Sequence, residues 1–121
     1  ISAQEYLNAF HYEDSISRGA HPIDIHASKG ASQSVTFLEE PAYVPYRALI
    51  AEGFPNLLVA GRCLSADRVA FASLRVQASC MGSGQAAGVA AALSSARRCS
   101  LQELGIDVLQ SELRAQNVRL G

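Results

Sequence analysis

The chain has 121 residues, enough for one modest domain or for part of a larger one. Its net charge is −1 with an isoelectric point near 6.3, which excludes nucleic acid or an anionic membrane as the main partner. Three cysteines at wide spacings, Cys63, Cys80 and Cys99, form no CxxC pair and no zinc-like grouping with histidine. Reduced structural thiols, a cytoplasmic setting and no bound metal are therefore expected.

No signal peptide is visible. The most apolar stretch, residues 76–93, carries two glutamines among alanines and glycines, so no transmembrane span is expected. The first residue is Ile1 rather than methionine, as expected of a piece cut from a longer polypeptide.

In chain order, residues 1–20 set Tyr6, Leu7, Phe10 and Tyr12 among acids and amides, and an irregular start with one helical turn is expected. HPIDIH at 21–26 alternates polar and apolar residues and predicts a half-buried strand with Pro22 at its beginning. Residues 28–34 form a polar, glycine-containing turn. VTFL at 35–38 is β-branched and aromatic, and it predicts a second strand that pairs with 23–26 as a hairpin. PAYVPY at 41–46 is extended, because a residue before proline is pushed out of the α region. Residues 47–50 predict one more short strand, closed by Gly53 and Pro55.

LLVA at 57–60 is a short apolar run ended by Gly61, the pattern of a buried strand emerging at a sheet edge or crevice. From about Leu74 to Leu93 the residues become small and helical, with Gly82, Gly84 and Gly88 in the helix interior. Each interior glycine costs roughly 1 kcal/mol relative to alanine. That cost makes sense where a sheet, another helix or a ligand lies close to the backbone. SLQE at 100–103 fits the capping box and predicts a short helix ending at Gly105. Asp107 is placed as the cap of a further helix over 108–116, with Val108, Leu109 and Leu113 along one face and Asn117 as its stop. No internal repeat is present.

GSGQAA at 82–87 has the letters of a dinucleotide-binding loop, GxGxxA. That motif must follow a buried strand directly and open a helix. Here the preceding residues look helical, so the glycines are placed inside a helix. The stronger pattern is the order strand, Gly61, loop, helix. Ligands in open α/β sheets sit beyond the carboxyl ends of strands, facing helix N-termini. A helix beginning near Arg75 presents the N–H groups of Val76 and Gln77 with the positive end of its dipole, which suits an anionic or electron-rich group.

HPIDIH at 21–26, VPYRALI at 44–50, NLLVAGRCLSAD at 56–67, LRVQASCMGSGQAAGVAAAL at 74–93 and LQSELRAQNVRL at 109–120 together resemble the C-terminal portion of the FAD-dependent oxidoreductase family, within the glutathione-reductase-like flavoprotein superfamily. The resemblance covers the chain from about Arg18 to Leu120. It implies an α+β or α/β fragment, with residues 1–53 a partial β-rich substrate-domain segment and 54–121 the C-terminal part of an FAD-binding domain. It implies FAD as the cofactor of the full-length protein, with Gly61 and Arg62 near the phosphate or ribityl chain. Arg75, Val76 and Gln77 fall at the pyrimidine edge of the flavin. Reduced flavin carries negative charge near N1 and O2, which a helix N-terminus stabilises. Many relatives have Gly-Asp where this chain has Gly61-Arg62, and Asp67 is the nearby candidate carboxylate. An N-terminal dinucleotide-binding segment with the true GxGxxG is expected as the partner of this piece. Alone, the fragment is expected to bind FAD poorly, to be inactive, and to self-associate.

A small-molecule substrate is implied, and His26 at a strand end is a candidate base facing it, against the plainer reading of a hydrogen-bonded structural histidine. Arg47 suits a carboxylate or sulfonate of such a substrate, with Tyr46 beside it in the core. Cys63 and Cys80 are taken as packed small residues. Gly84 and Gly88 form a GxxxG-like ridge for tight helix–sheet packing. The alternative function is a non-catalytic α+β module that mediates assembly through this glycine-rich helix.

Overall fold

The computed structural model describes residues 1–26 and 34–121. Helix α1 (Ala3–Leu7) opens the chain because Ser2 and Glu5 close a capping box. Ser2 Oγ accepts the Glu5 amide, and the Glu5 carboxylate accepts the Ser2 amide. Four strands follow: β1 (Ser15–Gly19), β2 (Ile23–Ile25), β3 (Ser34–Thr36) and β4 (Ala42–Pro45). β2 and β3 pair antiparallel, Ile23 opposite Thr36 and Ile25 opposite Ser34, which is the expected hairpin. The turn expected over 28–34 lies outside the described residues except for Ser34. β1, which no alternation in SISRG announces, pairs antiparallel with β4, placing Ser17 opposite Val44 and Gly19 opposite Ala42.

The strand expected over 47–50 is instead a 3₁₀ turn, Tyr46–Leu49. In a 3₁₀ turn residues i and i+3 eclipse, so Tyr46 and Leu49 enter the core together. Tyr46 also donates its hydroxyl to the Leu101 carbonyl at 2.9 Å. The expected strand at 57–60 is likewise reduced to a single bridge, Leu58 to Ile50. Val59 N–H reaches the Leu49 carbonyl at 2.7 Å, and Leu57 is 45% exposed. The segment is extended, but no second neighbour pairs with it among the described residues.

A 3₁₀ turn over Gly61–Cys63 leads into α2 (Arg68–Leu74), α3 (Gln77–Arg97) and α4 (Ile106–Ala115). The helix expected from Arg75 is thus preceded by a separate short one, and it runs four residues past Leu93. Arg98 closes α3 in the left-handed region at φ 54°. The SLQE segment makes its capping-box bonds, Ser100 N to Glu103 Oε2 at 3.0 Å and Glu103 N to Ser100 Oγ at 3.3 Å, but they enclose only a turn. Gly105 arrives too soon for a helix to propagate, and it takes the N-cap of α4. Asp107 lies in the first turn of α4 rather than at its cap. Asn117 takes the left-handed position past α4, at φ 64°, as its role of stop requires.

The architecture is α+β, with helices packed on two small antiparallel sheets. One core cluster draws on both sides of residue 53, joining Ile16, Val44 and Leu49 to Leu74, Leu109 and Leu113. α3 packs on β1 and on α4 and buries a stripe of small residues, Ser79, Ser83, Ala86, Ala90 and Ser94. The close approach occurs at Gly82, where a Cβ would stand 3.2 Å from Ser17 Cβ. Gly84 and Gly88 face open space, so the expected packing ridge is displaced. Two residues on, a helix has turned roughly 200°, which carries Gly84 to the opposite side from Gly82. No helix among the described residues is long and apolar enough to cross a membrane.

Candidate functional site

The turn at Gly61, the junction between α2 and α3, and the end of β2 meet at one place. Gly61 has φ +61°, a conformation open to glycine and strained for other residues. Its N–H donates to Ser83 Oγ at 2.9 Å. The Ser83 hydroxyl is directed back to the carbonyls of Ser79 at 3.0 Å and Cys80 at 3.1 Å. A Cβ on Gly61 would lie 3.4 Å from both Cβ and Sγ of Cys80, so the turn rests directly on α3.

Arg75 ends α2 with φ −71° and ψ −8°, and Val76 is extended at ψ 156° before α3 begins. Val76 N–H reaches the Ser73 carbonyl at 3.5 Å, so the open amides start at Gln77, one residue later than expected. Val76 O accepts Cys80 N–H at 3.0 Å. No side chain caps α3 and its first turn holds no acid, which leaves the amides of Gln77, Ala78 and Ser79 without a partner among the described residues. The positive end of a 21-residue helix therefore faces the crevice.

Arginines tie this tip to its surroundings. Arg62 Nε donates to the Arg75 carbonyl at 3.2 Å, and Arg75 Nη2 donates to the Asp24 carbonyl at 3.2 Å. His26 stands next to Asp24, Nε2 to Oδ2 at 3.5 Å, with its side chain 62% exposed. Ser73 is fully buried and fixes the end of α2 by donating to the His21 carbonyl at 2.5 Å, with Tyr6 Oη at 2.9 Å from its oxygen. A cavity of about 240 Å³ lies among His21, His26, Arg62, Arg75 and Val76. A second, of about 160 Å³, lies among His26, Arg68, Phe71 and Arg75.

Arg62, Arg75, Val76 and His26 thus line one crevice, while Gly61 rests on α3 against Cys80 and Gln77 begins that helix next to Val76. Arg47 is elsewhere: it pairs with Asp14 at 2.7 Å and lies 4.9 Å above the Tyr12 ring. Asp67 is the N-cap of α2. Its Oδ1 accepts the Val69 and Ala70 amides at 2.9 Å each, and Oδ2 accepts the Ala3 amide. Those bonds, the one from Ala70 first, hold its carboxyl below the usual aspartate range. Cys80 packs beneath Gly61 as expected, but Cys63 is exposed rather than packed. No group of three or more His, Cys, Asp or Glu among the described residues is placed to hold a metal ion.

Sequence reasoning missed Arg68, Phe71 and Ser83. Arg68 and Arg75 are seven residues apart, two helical turns, a spacing that marks one face once α2 is recognised. Ser83 gave no signal, since a serine between two glycines reads as filler.

The fold and site define an α+β protein whose uncapped helix tip faces a crevice beside a glycine turn. A family model for FAD dependent oxidoreductases matches residues 1–113, and the chain belongs to that family. Membership makes FAD the cofactor of the full-length protein. No curated protein and no solved structure matches the chain.

Proposed function

We propose that this chain supplies the flavin-facing turn and helix tip of an oxidoreductase acting on a small-molecule substrate. In this reading residues 54–121 belong to the FAD-binding domain and residues 1–53 to the substrate domain. The observation that carries it is the junction at Arg75 and Val76, where α3 starts uncapped while the Gly61 turn is pinned to it by Ser83.

The residues present suit the cofactor. The amides of Gln77, Ala78 and Ser79 offer donors, and the helix dipole offers positive potential, to an electron-rich ring edge. Gly61 lets the turn lie against α3 and directs Arg62 to the same end of the helix. Bound FAD supplies hydride acceptance. The side chains of this chain do the remaining work. Arg62 and Arg75 place positive charge beside the helix tip, and the Arg62 bond to the Arg75 carbonyl orders both. His26, at the end of β2, is placed to take or hold a substrate proton.

The test uses the full-length protein, which is expected to purify with flavin absorbance. Gly61→Val puts a β-branched residue at φ +61° and a side chain against Cys80, and it is expected to abolish that absorbance. Arg62→Gln, at an exposed position, is expected to weaken flavin binding about tenfold with an unchanged circular-dichroism spectrum. Flavin retained at wild-type affinity in both folded variants would sink the proposal. The assembly alternative draws on Met81, 67% exposed beside the open Gly84 and Gly88. Sedimentation of the flavin-bearing full-length protein as a monomer at high concentration would discard it.

A further inference from the structure

α2 carries Arg68, Phe71, Ala72 and Arg75 along one stripe, and that stripe faces the end of β2. The two arginines stand at opposite ends of a short apolar floor made by Phe71 and Ala72, with His26 as the facing wall. With Arg62 in the adjoining cavity, three guanidinium groups line this region against one carboxylate, Asp24. Within ion-pair distance among the described residues, Asp24 meets His26 and Arg47 meets Asp14, while Arg62, Arg68 and Arg75 make no such contact. Arg68 sits at the first position of α2, where a cation is unfavourable to the helix dipole. Helix stability therefore does not account for it.

We infer that Arg68, Arg75 and His26 form a subsite for the carboxylate of a small organic acid, the substrate class of the crevice described above. The inference rests on the flavin-site reading for its meaning as a substrate site, but the binding it asserts is separate. A guanidinium presents a planar fork that matches a carboxylate, and such charge-assisted bonds gain strength over an apolar floor. The cavity of about 160 Å³ suits a carboxylate with a few attached carbons and is smaller than the pockets that enclose drug-sized ligands. Arg68 binds the acid, Arg75 bridges the acid to the helix tip, and His26 completes the pocket from β2.

The experiment is calorimetric titration of the FAD-loaded full-length protein with acetate, succinate and benzoate, with flavin content read on the same samples. At least one acid is expected to bind. Arg68→Gln is expected to weaken that binding about tenfold or more, with Arg68→Lys recovering part of it, while flavin content and the melting temperature stay at wild-type values. Three results would each overturn the inference: binding of none of the acids, unchanged affinity in a folded Arg68→Gln protein, or displacement of the acid by inorganic phosphate at equal affinity. Loss of flavin in Arg68→Gln would also overturn it, by assigning that arginine to a cofactor phosphate. A wild-type protein without flavin would speak against the flavin site, whereas a yellow protein that ignores all three acids speaks against this subsite alone.

Discussion

Asp67 accepts three backbone amides, those of Val69, Ala70 and Ala3, and so joins the start of α2 to the start of the chain. Asp67→Ala removes the cap of α2 and is expected to destabilise the chain by about 1–2 kcal/mol in urea unfolding. Because the folded carboxyl is held below its ordinary range, this stabilisation is present above the unfolded pKa and is lost as pH falls through the lower folded value. Acid titration of wild type against Asp67→Asn should show that component vanish in the mutant. Tyr12 behaves oppositely. Burial first, and then the charge of Glu5, push its phenol up to about 12. Its contribution is present below the ordinary tyrosine value and is lost as pH rises through that region, which ultraviolet titration of Tyr12→Phe will isolate.

Among the elements, α3 separates what pattern reveals from what it hides. Its existence was legible in the alanine-rich run from 77 to 93, and so was the placing of GSGQAA inside a helix. Which glycine meets the sheet was not, because three glycines at close spacing leave the helix phase open. The phase was set by Ser17 against Gly82. Gly82→Ala is expected to gain less stability in thermal melts than Gly84→Ala or Gly88→Ala, since a Cβ 3.2 Å from Ser17 Cβ requires that neighbour to give by a few tenths of an ångström. Gly84→Ala and Gly88→Ala meet nothing within 4 Å and are expected to stabilise this chain by up to about 1 kcal/mol each in thermal melts. The same pair in the full-length protein reports on whatever covers that side of α3, since a loss of stability there would mark a close neighbour. The break at Arg75 and Val76 was hidden for another reason. Neither residue is proline or glycine, so nothing in the letters punctuates two consecutive helices.

At the scale of the molecule, a single core makes the two halves interdependent. Leu109 is fully buried among residues drawn from both. Leu109→Ala is expected to lose about 2–5 kcal/mol and to melt strands and helices in one transition, visible as coincident fluorescence and circular-dichroism curves. The hairpin of β2 and β3 was legible because its members are near in sequence and β-rich. The pairing of β1 with β4 was not: SISRG carries one aliphatic residue, and its strand character comes from tertiary packing against β4 and α3. The crevice was legible in outline, since the order of Gly61, loop and helix put Gly61, Arg62, Arg75 and Val76 in one neighbourhood. Its far wall was not, because α2 went unrecognised.

The Ser83 hydroxyl holds the Gly61 amide while belonging to the helix itself. Loop and helix are consequently one mechanical piece, and a molecule that stiffens either end should slow proton exchange at both in step. Replacing that serine with alanine would cut the linkage, letting the Gly61 amide exchange freely while α3 keeps its protection.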